Sequence, residues 1–409
     1  EDVGISSSNL TDGTYIIQAD NLRGINWMRS QSGISLTLDS RSHTEDLQTM
    51  ANAFQSLTKF NQDLNGFDWS SVTDWSDTFV GCSSFNGNMS GVVGSQVTTI
   101  ARMFRNSGFD QPVSSWDVTG VIHMNGLFEG SPFNQSLAGW DTSNVERFDA
   151  MFMKTSAFNQ DVNGLNISSA TNMSAMFRDA EAFNQPISAW TFPAGCDVTG
   201  MFARTHVFNS ALTFNTSGLT SLKEMFLDAK VFNHPSIDGW DVSNVTDLTE
   251  TFRNTIFNQD LNSWDTSSVK VMERTWYDAK QFNGDITNWN VSNCENFNYT
   301  FYYCEKLNQN LNNWNTSSAT TMDHMFFRSR IYNQPMDKWA TALVSDMTQM
   351  FAGCWAFYQD ISSWCVPLIP PPGPTDFVSG TNDPLQNHPE RLPQWGTCPP
   401  RILTNPVIK

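Results

Sequence analysis

The stretch FNQDLNSWDTSSV, Phe257 to Val269, decides how this chain must be read. Close variants return as FNQDLNGFDWSSV from Phe60, FNQSLAGWDTSNV from Phe133 and YNQPMDKWATALV from Tyr332. The residue before the Asn-Gln pair falls at Phe60, Phe85, Phe109, Phe133, Phe158, Phe183, Phe208, Phe232, Phe257, Phe282, Leu307, Tyr332 and Phe357, at intervals of 24 or 25 residues. Length alone would suggest two or three domains for 409 residues, but a fixed period overrides that prior. Each repeat is too short to bury its own apolar face, so copies must stack. The expected fold is a repeat solenoid, a leucine-rich-repeat-like stack of about 13 rungs.

Each column of the repeat has a physical task. A second aromatic precedes the anchor (Phe54, Phe79, Phe104, through Phe326 and Phe351), and apolar residues lead up to it in a helical rhythm. In ATNMSAMF, Ala170, Met173, Met176 and Phe177 follow i, i+3, i+6, i+7, which predicts a short helix or 3-10 segment. Ser143, Ser243, Ser267, Ser292 and Ser317 stand where they could cap it. After the anchor, Pro112, Pro186, Pro235 and Pro335 oppose a continuous helix, which predicts a short strand stacked in parallel from rung to rung.

The position after the anchor is Asn61, Asn86, Asn134, Asn159, Asn184, Asn209, Asn233, Asn258, Asn283, Asn308 or Asn333, with Asp110 and Tyr358 as exceptions. A buried amide at one point of every rung can donate and accept along the stack, so this column is expected to be structural; a row of ligand-binding amides is the alternative. The recurrent Trp residues, Trp116 to Trp364, are expected in the core, with an exposed sugar-stacking ladder as the alternative.

The pattern V-T-x-M-x-x-M-F-x-x-A-x-x-F-N-Q-x-L-x-x-W-D-x-S, carried almost whole by SNVTDLTETFRNTIFNQDLNSWDTSSV from Ser243, resembles the BspA-type leucine-rich repeats of microbial surface proteins, in the version first noted in mycoplasma lipoproteins. The resemblance spans about Gln48 to Trp364. It implies a curved right-handed solenoid on a surface or secreted protein that adheres to partners, and it brings no catalytic residues. The repeats from Asn86 and from Phe208 lack the Trp and are expected to disturb the stack.

Flanking the repeats at 48–365, residues 1–47 lack the register and read as an N-terminal cap, with strands in YIIQADNLRGINW and GISLTLDS. Residues 366–409 hold eleven of the seventeen Pro and read as a C-terminal arm. Of seven Cys, Cys82, Cys304 and Cys354 share a column that wants a small side chain, and Cys365 with Cys398 is the favoured disulfide.

A net charge of −18, with only 23 basic residues, opposes nucleic acid and anionic lipid as partners. No apolar run is long enough to insert in a membrane. The chain starts at Glu1 without Met, as a processed secreted product would. Ten Asn-x-Ser/Thr triplets, at Asn9, Asn88, Asn134, Asn166, Asn172, Asn215, Asn244, Asn290, Asn298 and Asn315, are candidate glycosylation sites, although repeat consensus also produces such triplets. Asp117 with Asp141, and Asp241 with Asp265, are neighbours in successive rungs; they are read as turn residues, with a shared Ca²⁺ as the weaker alternative. The six His sit near no Cys at zinc-ligand spacing, and neither a phosphate loop nor a nucleophile elbow is visible.

No cofactor and no enzymatic activity are therefore expected. The leading expectation is a secreted or cell-surface structural protein, a subunit of an extracellular filament, appendage or coat, whose partners are copies of itself or other extracellular proteins. The arm would reach an adjacent copy, with Arg391 and Arg401 pairing acidic groups, and its deletion would leave the repeats folded. The alternative is a monomeric adhesin or binding module that takes a protein or glycan on the solenoid surface. A solitary adhesin would usually carry a membrane or wall anchor, and none is legible here.

Overall fold

A computed structural model describes residues 14–17, 35–38, 44, 47–380 and 384–400. The chain divides into two compact units, Glu1–Leu219 with Asp228–Val231, and Thr220–Leu227 with Phe232–Lys409. The first unit contains the two strands expected near the N-terminus. β1 (Thr14–Ile17) and β2 (Ser35–Leu38) pair in parallel, with Thr14 opposite Ser35 and Ile17 opposite Leu38.

Within each unit, successive repeats are joined by parallel bridges one residue long. In the first unit they run Thr49, Asp74, Thr99, His123, Arg147, Asn172, Asp197; in the second, Ser221, Asp247, Val271, Asn296, Thr321, Asp346. The register of the columns is therefore the register of the stack.

Strand and helix per rung are not what the chain forms. Among the described residues of the repeats, the segment expected as a helix is a run of turns, and the post-anchor strand is absent except in one pair of repeats. Two residues per repeat, four apart, take positive φ: Asn52 and Ser56, Arg102 and Asn106, Glu250 and Asn254, Tyr299 and Tyr303. Each is the third residue of a turn closed by an i to i+3 bond, as in Ala53 N–H to Met50 O (2.9 Å) and Leu57 N–H to Phe54 O (3.1 Å). The N–H groups between these donate outward to the next repeat: Met50 to Asp74 O (2.8 Å), Asn52 to Ser76 O (2.9 Å), Phe54 to Thr78 O (3.0 Å) and Ser56 to Val80 O (2.7 Å). A helix would turn nearly every N–H onto its own carbonyls and leave adjacent rungs without backbone bonds. The apolar rhythm was a true signal of facing, since Ala170, Met173, Met176 and Phe177 are all buried, but the rungs need the alternation of turns to hold one another.

The aromatic columns form the core as expected. Phe104 stacks on Phe109 of its own rung at 3.8 Å and on Phe79 and Phe128 of the rungs on either side at 5.5 and 5.9 Å. The Trp residues lie inside, so the exposed sugar-stacking ladder is overturned: Trp190, Trp314 and Trp364 are 1–2% exposed. Their indole N–H groups donate to a carbonyl one rung back, as Trp264 does to Ile237 (2.8 Å), Trp289 to Leu261 (2.9 Å) and Trp364 to Met336 (2.8 Å). That bond explains why Trp rather than Phe fills the column: a buried carbonyl needs a donor there.

The Trp-less repeat from Phe208 does not bulge. It pairs in an extended ladder with the repeat before it, Ile187 opposite Leu212 and Thr191 opposite Asn215, and Phe192 meets Phe214 edge-on at 5.1 Å. In the second unit, Pro235–Gly239 forms a 3-10 turn with Pro at its start, where the missing N–H costs nothing.

The Pro-rich arm is a cap. Carbonyls of Thr375, Phe377 and Ser379 accept from Gln349 (3.0 Å), Phe351 (2.9 Å) and Gly353 (2.9 Å), as a further repeat would. Ile361 N–H donates to Arg391 O (2.9 Å) and Val366 N–H to Thr397 O (2.9 Å). Val366, Ile369, Phe377 and Leu385 are buried, and Cys365 is disulfide-bonded to Cys398 as the sequence favoured. Arg391 spreads over the Tyr358 ring at 4.0 Å and donates to Tyr358 O (3.1 Å). Arg401 lies outside the described residues.

Candidate functional site

The Asn column is a ladder of acceptors. Asn61 Oδ1 accepts the N–H of Asn86 (2.7 Å), Asn86 that of Asp110 (2.8 Å), Asp110 that of Asn134 (2.9 Å), and Asn134, Asn159 and Asn184 continue to Asn209. In the second unit, Asn233, Asn258, Asn283 and Asn308 bond the next rung in the same way, and Asn333 receives Tyr358 N–H (3.0 Å). Often the following Gln adds its amide, as Gln185 Nε2 does to Asn159 O (2.9 Å). The column is structural, but the side chains are exposed or half-buried rather than buried. Both exceptions now make sense. Asp110 keeps the acceptor, and Tyr358 stands at the last rung, where the arm takes over.

Exposure lowers what each amide contributes. Asn184→Leu removes acceptors for Asn209 N–H (2.8 Å) and Ser210 Oγ (2.9 Å), both of which water can replace in part. We expect a loss of about 0.5–1.5 kcal/mol by urea unfolding, below the cost of a buried unsatisfied group. A loss above ~3 kcal/mol would mean the amide is buried in solution.

The Asp column is explained by its own turns. Asp117, Asp141, Asp241 and Asp265 accept the N–H two residues on, from Thr119 (3.1 Å), Ser143 (3.0 Å), Ser243 (3.1 Å) and Ser267 (3.0 Å). Hydrogen bonds from these Ser side chains and N–H groups hold the Asp141, Asp241 and Asp265 carboxyls below the usual carboxylate range. Ser143, Ser243, Ser267, Ser292 and Ser317 are thus turn donors and not helix caps. Among the described residues no cluster of three carboxylate, His or Cys side chains could hold a metal ion.

The same kind of side-chain turn recurs at many of the Asn-x-Ser/Thr triplets, in this column at Asn166, Asn215, Asn290 and Asn315 and elsewhere in the repeat at Asn88 and Asn172. Each accepts the N–H of the Ser two places on. Asn134 serves the ladder, and Asn298 accepts from Thr321 Oγ1 (2.6 Å) and Asp323 N–H (2.9 Å). Asn244 is exposed. Asn9 lies outside the described residues.

The cysteine column behaves as a small-residue column. Cys82, Cys304 and Cys354 are buried and point their thiols at the Phe54, Trp276 and Phe326 carbonyls, where other rungs place a Ser or Thr hydroxyl. Desolvation pushes Cys82 and Cys196 up to about 12 and raises Cys294 and Cys304 likewise, which leaves them protonated and inert at neutral pH.

One surface feature escaped the sequence reading. In the second unit the residue after the core aromatic is Tyr277, Tyr302 and Phe327 in consecutive rungs, half-buried and stacked at 4.4 and 4.8 Å. Beside it, Tyr299 stacks on His324 at 4.6 Å, and His324 Nδ1 pairs with Asp323. Arg253, Arg274 and Arg328 lie over Tyr277, Tyr299 and Tyr303 at 5.0–5.1 Å. Desolvation pushes the Tyr302 hydroxyl up to about 12, so that hydroxyl stays protonated at physiological pH.

Tyr299 and Tyr303 occupy the two left-handed positions of their rung, at φ 55° and 58°, which other rungs fill with side chains as varied as Asn52, Ser56, Arg102, Lys154, Ala175 and Glu250. A residue other than Gly there costs about 1–2 kcal/mol, which nearly every rung bears because the stacked turns require that conformation. The signal available in the sequence was three aromatics in one otherwise variable column. The row ends where the next rung has Ala352, beside a groove of about 440 Å³ lined by Phe327, Arg328, Arg330, Gln349, Gly353, Trp355 and Ser379.

Stacked 24–25-residue copies joined rung to rung by backbone, amide and aromatic ladders define a tandem-repeat protein. Four overlapping matches to the family described as "Mycoplasma protein of unknown function, DUF285", over residues 37–132, 103–214, 209–309 and 284–369, cover most of the sequence, and the chain belongs to that family. No curated protein and no solved structure matches it. Among the described residues no helix is long and apolar enough to cross a membrane.

Proposed function

We propose that the protein is a non-enzymatic binding module, secreted or displayed at the cell surface, that takes a partner on the face of its repeats. The observation that carries this reading over a filament subunit is the return of the arm onto its own last rungs. The backbone acceptors at Thr375, Phe377 and Ser379 and the Arg391 side chain, which a head-to-tail contact would need, are used within the chain. The concentration of Tyr and Arg on one face of the second unit adds support, because these residue types dominate recognition surfaces. The Cys365–Cys398 disulfide fits an oxidising compartment. Kinship with the BspA-type leucine-rich-repeat solenoids rests on the repeat motif and on the parallel bridges between rungs.

The test is the native mass of the full chain across micromolar concentrations. We expect one chain at every concentration. A species that grows without limit as concentration rises would return the assignment to an extracellular filament.

A further inference from the structure

We propose that the groove between Arg328, Arg330 and Trp355 binds a carboxylate-bearing sugar, a uronate or sialate residue free or at the end of a glycan. The inference deepens the binding-module reading and rests on it.

Charge complementarity carries the argument. In a chain of net charge −18, most arginines that the structure describes are neutralised: Arg253 by Glu250 (2.8 Å), Arg274 by Glu273 (2.7 Å), Arg102 by Asp77 (2.6 Å). Arg328 differs, having no carboxylate partner among the described residues. It is held by rings instead, lying 5.1 Å from the Tyr303 centroid and 5.4 Å from that of Phe327, and it donates from Nη1 to the Tyr303 hydroxyl. Rings orient a guanidinium without cancelling its charge.

Gly353, next to it, has φ 74°, and a Cβ there would lie 2.9 Å from Arg328 Cγ, so a larger residue would displace the arginine. Arg330 comes no closer than 3.7 Å to Glu305, and its Nε is buried with no hydrogen-bond partner. Arg328 is therefore the uncompensated cation of the groove, and Arg330, whose charge Glu305 offsets in part, lies beside it. A planar carboxylate suits the fixed fork of a guanidinium.

The rest of the groove fits a sugar ring. Trp355 is 45% exposed although the Trp columns are buried, and Arg330 covers its ring at 4.7 Å. An exposed indole is a platform for the apolar face of a pyranose, while Gln349 and Ser379 offer polar atoms for hydroxyls. A volume of about 440 Å³ lies in the range of small-ligand sites, whereas a protein partner would need a broad interface and no groove.

The test titrates the full chain with 3′-sialyllactose and with trigalacturonate, against lactose and a Glu-rich peptide, by calorimetry, with native mass recorded on the same sample. One charge-assisted contact separates acidic from neutral sugar by about tenfold or more. We therefore expect acidic sugar to bind at least about tenfold tighter than lactose, and Arg328→Gln to remove that preference. Trp355→Ala should weaken both sugars together. A monomer that binds no sugar, binds lactose equally well, or binds only the acidic peptide overturns this inference and leaves the module reading in place. An open-ended oligomer that still prefers acidic sugar overturns the module reading and supports the site.

Discussion

Deletion of residues 366–409 is expected to unfold the last repeats, not to liberate an intact stack. The arm buries Val366, Ile369, Phe377 and Leu385, each at most 4% exposed, and Phe377 meets Phe351 edge-on at 5.5 Å. At about 1.5–3 kcal/mol per buried side chain, the loss of these four sets an upper bound of about 12 kcal/mol. The cut also leaves the N–H groups of Gln349, Phe351, Gly353 and Ile361 without acceptors and removes the Cys365–Cys398 bond, which closes a loop worth about 2–4 kcal/mol. Phe351, Phe357 and Trp364, all buried at present, would form a wet apolar end face. Because each repeat leans only on its neighbours, the damage should start at the last rung and spread inward. Limited proteolysis should cut the truncated chain first within residues 340–365, and size-exclusion should show aggregation. A truncated chain that stays monomeric with an unchanged melting temperature would mean that the arm does not cap the stack.

The second large effect is expected at Trp314. Its ring lies between Trp289 and Trp339, at 6.4 Å from each and nearly parallel to both, with 1% exposure. Its indole donates to Ile286 O (3.2 Å). Trp314→Ala creates a cavity worth about 3–5 kcal/mol and strands a buried carbonyl at about 1–3 kcal/mol more. Neighbouring rungs are held at their spacing by their own backbone bonds, such as Met272 N–H to Asn296 O (2.9 Å) and Phe301 N–H to Met325 O (2.9 Å), so the hole cannot simply collapse. Trp355→Ala, on the exposed groove, is the control and should change stability by about 0.5 kcal/mol or less. Urea unfolding of the two variants should differ by several kcal/mol; equal midpoints would contradict the assignment of the Trp column to the core.

Much of the architecture was written in local pattern. The period, the inward aromatic columns, the small-residue Cys column, the turn role of the Asp residues and the Cys365–Cys398 pair all follow from residue type at fixed spacing, because a repeat that stacks on itself must satisfy the same chemistry once per rung. Even the Asn column was read for the right reason, although its amides sit at the surface. Backbone conformation was not legible. Ala170, Met173, Met176 and Phe177 match a helical rhythm, and a run of turns with left-handed residues at 175 and 179 presents those same residues inward. What selects turns over helix is the demand of the next rung for half of the N–H groups, and a single repeat carries no record of that demand.

The groove was equally hidden. Arg328, Trp355 and Ser379 come from two successive repeats and the folded-back arm, and only tertiary structure sets them around one space. A Pro-rich composition said that the arm is neither helix nor inner strand. It took the unsatisfied N–H groups of the last rung, which pull Thr375, Phe377 and Ser379 into register, to decide that the arm belongs to its own chain.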